Sequence, residues 1–247
     1  MFKIFRKIRL LLINENKLRK YLIYGVGEIL LITIGILVAL QVNNWNENRK
    51  DDVVELKILY GLESDLNKDI SKIETMIYND STINVGNLQL VQILKDPDSE
   101  YNASMDKLFG YSTRMAFFFP QKMAYETLKS KGLEIIKNDE LRSKIVNLYD
   151  YEYDVIGMFI DVKKELYYSS NSIVLKYLET NPNDITSKKP YDFQELKNSN
   201  EFINYLSHIC SEQNAALYFY RDVRYKLKLV KEEVEKEINI KTEWPIL

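Results

Sequence analysis

The chain has one cysteine, Cys210, and one histidine, His208, in 247 residues. A lone cysteine excludes an intramolecular disulfide framework and a cysteine-rich zinc site. A lone histidine excludes a His-pair metal site, and with it the paired Glu-x-x-His ligands of di-metal bundles. Five prolines and eight glycines are few for an all-β or disordered protein. No run alternates convincingly between apolar and polar residues with period two, so strands are not expected. Glycine-rich phosphate loops, a serine nucleophile elbow and kinase signatures are also missing from the sequence. With these routes to catalysis gone, no enzymatic activity, cofactor or metal is expected.

What is present is a charge asymmetry and one long apolar run. Seven of the 34 Lys and Arg residues fall within residues 1–20, beside a single acid, Glu15. Of the 36 acids, only Glu15 and Glu28 precede Val42, so the rest of the chain is about seven charges acidic. An acidic domain is a poor match for a phosphate backbone, and no nucleic-acid partner is expected. The basic head suits an anionic cytoplasmic leaflet.

Residues 21–42 form an apolar stretch interrupted by one charge, Glu28. As a helix it is about 33 Å long, enough for a hydrocarbon core of about 30 Å. It is too long for the apolar region of a cleavable leader, and no small-x-small site comes after it. The expected division is therefore a basic, cytoplasmic amphipathic head at 1–20, a transmembrane helix at 21–42, and an extracytoplasmic helical bundle at 43–247. The positive-inside bias places the N-terminus in the cytoplasm, with the acidic bulk in the periplasm of a diderm cell. In the head, Phe2, Phe5, Ile8 and Leu12 share a face, as an amphipathic helix on the inner leaflet requires; a floppy basic tail satisfies the charge bias equally.

Glu28 admits two readings. A carboxylate in lipid is costly, so it is either neutral or reaches back toward Lys20. Alternatively, Gly27, Glu28, Gly35 and Ala39 form a face on which a second membrane helix packs, with small residues permitting close approach and the polar group bonding across.

Gly27 to Lys50 reads GEILLITIGILVALQVNNWNENRK, after a basic head FRKIR…ENKLRKYL. Tyr125 to Asp150 reads YETLKSKGLEIIKNDELRSKIVNLYD. In this order, the blocks closely resemble an uncharacterised group of single-span membrane proteins common in Bacteroidota, especially flavobacteria. The resemblance implies lineage and location in the bacterial envelope; it brings no catalytic residues, because the group has no established activity. The chain departs from the group at Ser130 to Ile136, where relatives carry a more polar Ser/Gly turn.

Beyond the span, Leu59, Leu62, Leu66, Ile70, Ile73 and Ile77 recur at helical spacing. The span is expected to continue as a stalk to Lys95, where Asp96-Pro97-Asp98 breaks it. Met105–Phe118 and Gln121–Lys131 read as short helices around Pro120, with Gly132 capping the second. Asn138 caps the next, with Asp139 and Glu140 in its first turn.

The C-terminal half carries two long 3.5-residue seams. The first runs Leu141, Ile145, Leu148, Glu152, Val155, Phe159, Val162, Leu166, Ser169, Ile173. The second runs Phe202, Leu206, Ile209, Gln213, Ala216, Tyr220, Val223, Leu227, Val230, Val234. Such seams keep packed helices, and coiled coils, in contact along their length. Residues 181–192 between them are a polar, proline-punctuated loop. The expected fold is all-α: one N-terminal transmembrane helix continuing into an elongated antiparallel helical bundle, up-down-up-down, with Trp45 and Trp244 at the membrane interface.

Candidate chemistry is sparse. His208 and Cys210 diverge on a helix and form no dyad. Asp150, Asp154, Asp161 and Glu165 make a solvated acidic face. Glu152 and Gln213 each interrupt an apolar seam, where polar residues set register or partner choice, or less often touch a ligand. Tyr149, Tyr151, Tyr153, Tyr167, Tyr168, Tyr218 and Tyr220 either bridge core and water or line an interface. The expected function is protein interaction or scaffolding at the envelope, through a homo-oligomer or another envelope protein, with the lipid bilayer as the first partner. The alternative is a sensory or regulatory subunit that binds a small ligand in the bundle and relays through the span to a separate effector.

Overall fold

The computed structural model describes residues 18–114 and 116–243, with side chains from residue 22 onward. The expected basic head at 1–13 and the interfacial Trp244 lie outside these residues. The chain divides into two compact units between Val54 and Glu55.

Helix α1 runs from Leu18 to Lys95 without a break. Over the first unit its side chains are almost all exposed, from Leu22 to Trp45. One window in it is apolar enough, with mean hydropathy 2.3, to cross a membrane. The helix stops where expected: Asp96 precedes Pro97, and a residue before proline is steered out of the helical region.

The second unit is built on the rest of α1. A 3₁₀ turn at Ala103–Met105 leads into α2, Asp106–Tyr111. The helix expected over Met105–Phe118 ends there, and residues 116–122 are non-helical. Phe119 is disfavoured from helix by Pro120, and Pro120 has no N–H to donate. The next helix, α3, therefore begins at Met123 rather than Gln121 and ends at Lys131. Gly132 closes it at φ 103°, a left-handed value that favours glycine. Helix α4, Asp139–Val146, is capped by the Asn138 side chain, which accepts from Leu141 N at 3.1 Å.

A π-helical turn at Asn147–Glu152 joins α4 to α5, Tyr153–Tyr177. The segment read as a polar loop contains half of a two-stranded sheet. Strand β1, Leu178–Thr180, pairs antiparallel with β2, Lys188–Pro190, Leu178 opposite Pro190. Three residues per strand are too few for a period-two signal. Short α6, Phe193–Lys197, precedes the long α7, Asn200–Glu243.

Contacts fix the directions within the unit. Asp69 meets Tyr153 and Asp80 meets Lys163, so α5 runs parallel to α1. Asn87 meets Gln213 and Glu74 meets Lys228, so α7 runs antiparallel. The leg from α2 through α3 returns along α1, Gln121 meeting Asp69 and Ala124 meeting Asp65, and is a chain of short pieces instead of a second long helix. At the α2 end, Leu90, Leu94, Phe109, Val174, Leu178, Leu196, Phe202 and Leu206 form one apolar core, each large side chain contributing about 1.5–3 kcal/mol by burial.

The α7 seam is buried at all ten positions expected. The other seam is not. Leu141, Ile145, Leu148 and Glu152 are buried, but beyond them the buried residues are Tyr153, Ile156, Ile160, Lys163, Ser170, Val174 and Tyr177. Ile156, Ile160, Lys163, Ser170 and Val174 each lie one position after an expected seam residue, Val155, Phe159, Val162, Ser169 and Ile173; the sixth, Leu166, stays half-buried while Tyr167 after it is exposed. The π-turn is the cause. It holds one more residue than an α-turn, which rotates everything after it by about 100° relative to the uninterrupted pattern. Val162 is consequently 58% exposed and Lys163 is 6% exposed.

Candidate functional site

Helix α1 turns several polar side chains inward. Glu55, Asp65, Asp69, Asp80, Asn84 and Asn87 are all buried. They sit at the same three- and four-residue spacing as the leucines around them. Three of the carboxylates hold the returning leg by its backbone. Asp69 takes Gln121 N–H on both oxygens, each at 3.0 Å, and Asp65 takes Ala124 N–H at 3.0 Å. Ala124 lies in the first turn of α3, where N–H groups have no partner inside the helix; Gln121 lies two residues before that helix, in the non-helical stretch. Glu55 accepts Lys137 N–H at 2.9 Å and pairs with Lys241 at 2.8 Å.

The Tyr153 hydroxyl donates to Asp69 at 2.6 Å. Burial pushes the Asp69 carboxyl up to about 6, against the lowering effect of its hydrogen bonds. Burial, with Asp69 close by, also pushes the Tyr149 and Tyr153 phenols up. Tyr149 stacks on Tyr125 at 4.5 Å and meets Tyr153 edge-on at 5.1 Å.

Further along, Lys163 Nζ lies 3.0 Å from Asp80 Oδ2 and 3.2 Å from the Tyr220 hydroxyl. Burial opposes the charge on Lys163; the Asp80 carboxylate and Tyr220 outweigh it and hold the ammonium above its usual value. Asn84 donates to Asn214 at 2.7 Å and Asn87 to Gln213 at 3.2 Å. Gln213, singled out from the sequence, thus contacts α1 inside the bundle. Glu152, the other, accepts from Lys226 at 2.8 Å, and Lys226 also meets Asp222 at 2.8 Å. Glu152 lines a groove of about 440 Å³ beside the π-turn, with Ser143, Lys144, Asn147, Leu229 and Glu233 among its other walls.

Two surface features complete the unit. Phe117, Phe119 and Met123 project from the returning leg at 38%, 62% and 80% exposure. Behind the phenylalanines, Ser71, Lys72, Thr75 and Met76 of α1 line a groove of about 380 Å³. On α5, Met158 and Val162 are exposed and lie on one face; Tyr151, in the π-turn before it, is exposed too.

The remaining sequence candidates are separate. Gly27 and Gly35 have open space where a side chain would stand, and Ala39 is exposed. His208 is exposed and Cys210 buried. Asp150, Asp154 and Asp161 are exposed and meet Lys129, Lys122 and Lys164, and Glu165 is exposed. The described residues contain no group of three or more His, Cys, Asp or Glu placed to hold a metal ion. Tyr149, Tyr153 and Tyr220 are buried; Tyr151, Tyr167, Tyr168 and Tyr218 are exposed.

Sequence reasoning missed the inward carboxylates and amides of α1. Their signal was present: Asp65, Asp69, Asp80, Asn84 and Asn87 fall beside or in phase with the leucine and isoleucine repeat.

The fold and these contacts define an all-α protein with a helix long and apolar enough to cross a membrane, joined in sequence to a helical unit with a polar interior. Residues 28–214 match a family described as a family of unknown function (DUF6090), and the chain belongs to that family. No curated protein and no solved structure matches it.

Proposed function

We propose that the chain is a non-enzymatic, single-pass protein of the bacterial inner membrane. Its N-terminus lies in the cytoplasm, and its helical unit lies in the periplasm and docks another envelope protein or a second copy of itself. The apolar part of α1, with its exposed side chains, and the basic residues before it support the anchor. The observation that carries the docking role is the apolar edge of Phe117, Phe119 and Met123, exposed beside a groove. Aromatic residues and methionine are enriched where proteins meet. The test is a photo-crosslinking residue at Phe119 in the full chain in cells, with Tyr218 on α7 as the control. A discrete protein adduct from Phe119, absent from Tyr218, supports the proposal. No adduct from Phe119 removes its support. Reporter fusions after Leu247 test the topology; activity on the cytoplasmic side refutes it.

A second reading rests on the groove beside the π-turn, where Glu152, Lys226, Lys144 and Glu233 surround an apolar floor. In that reading the unit senses a small ligand and relays through the span to a separate effector. A thermal shift of the full chain with small envelope metabolites, abolished by Glu152→Gln, supports it; no shift with any of them argues against it.

A further inference from the structure

The middle of the bundle does not satisfy its own hydrogen bonds. Asp80 Oδ1, Asn84 Oδ1 and Asn87 Oδ1 are buried with no partner in the protein. All three come from one face of α1, at i, i+4 and i+7, over about 10 Å of helix. Turning either asparagine amide over changes which of its atoms is orphaned and still leaves that side chain one partner short.

Spare donors lie at the Asp80 end of this face. Lys163 has three N–H bonds and uses two, on Asp80 and Tyr220. The Tyr220 oxygen accepts from Lys163, which leaves its own proton free. Buried polar atoms in native proteins are almost always paired, with protein or with ordered water. A water between two such groups donates twice and accepts twice, so it converts both shortages at once.

We propose that this layer is an internal hydration site: about two long-lived waters bridge the unpartnered oxygens of Asp80, Asn84 and Asn87 to Lys163 and Tyr220. Water is chosen over a metal cation by charge. The Asp80 carboxylate already faces an ammonium 3.0 Å away, and the other two oxygens are neutral amides. A second cation there meets repulsion from Lys163 with no free anion to offset it.

The test uses the full chain in detergent. Oxygen-17 relaxation dispersion counts long-lived waters in the native protein and in the Asn84→Leu/Asn87→Leu variant. The expected result is a loss of about two long-lived waters in the variant; an unchanged count overturns the proposal. Should the variant fail to fold, crystals of the native chain grown with rubidium chloride decide the matter. Ordered water within hydrogen-bond reach of the three oxygens, with no anomalous rubidium signal, supports the site. A rubidium peak there, or a dry layer in which the oxygens turn onto protein donors, overturns it.

Discussion

The one-residue shift in α5 yields opposite expectations for two adjacent side chains. On the uninterrupted seam, Val162 faces the core and Lys163 faces water; with the π-turn in place the roles reverse. The Lys163 side chain is 7% exposed and that of Asp80 is 1% exposed. Lys163→Met strands a buried carboxylate, and breaking such a pair from one side costs about 3–5 kcal/mol. For a unit of this size, that lowers the midpoint of thermal unfolding by about 6–20 °C. Val162→Gln alters only a surface position and is expected to change stability by less than about 0.5 kcal/mol. Adding Asp80→Leu to Lys163→Met removes the stranded charge and recovers much of the loss, since replacing a whole buried pair is often neutral. Denaturation of the full chain in detergent, followed by circular dichroism, measures these four proteins and Asp80→Leu alone. A costly Val162→Gln beside a harmless Lys163→Met refutes the register. A double variant as unstable as the sum of its parts refutes the pairing.

Deleting Tyr151, exposed within the π-turn, turns that segment into plain α-helix and keeps Ile156, Ile160 and Lys163 facing inward, so the variant is expected to fold; deleting the equally exposed Met158 rotates the C-terminal remainder of α5 alone and is expected to abolish cooperative unfolding. Gly110→Ala places a methyl against the Thr186 backbone carbonyl, which cannot retreat as a flexible side chain does; a loss of about 1–3 kcal/mol and faster proteolysis at residues 181–187 are expected. Asn138→Ala removes the α4 cap and its bond to Glu237, for a loss of about 1 kcal/mol in the same denaturation assay. Asp69, raised by burial from 3.8 to about 6, binds its proton more tightly in the folded chain. Its contribution to stability is complete below 3.8 and is lost as pH rises through about 6, so Asp69→Asn flattens the dependence of stability on pH across that interval.

How far each feature is legible in the sequence depends on how locally it is determined. The end of α1 at Lys95, the left-handed Gly132 and the Asn138 cap depend on a few neighbouring residues, and each was legible. The α7 seam was legible because its period never breaks. The α5 seam was not, because Val155, Val162 and Ile173 are apolar and fit an unbroken repeat. Nothing in Asn147–Glu152 alone announces an extra residue in the turn; the contacts made there are long-range, Tyr149 on Tyr125, and Tyr153 on Phe118 and Asp69. Pattern reading also takes an acid in a leucine repeat for the edge of the polar face. Asp65 and Asp69 are instead the fixings for a leg that Pro120 keeps from becoming a helix. A non-helical leg leaves N–H groups without intrahelical partners, and buried carboxylates on the neighbouring helix are the acceptors that such a leg requires. The inward carboxylates Asp65 and Asp69 and the broken return leg are therefore one feature, and a sequence that has the second should be searched for the first.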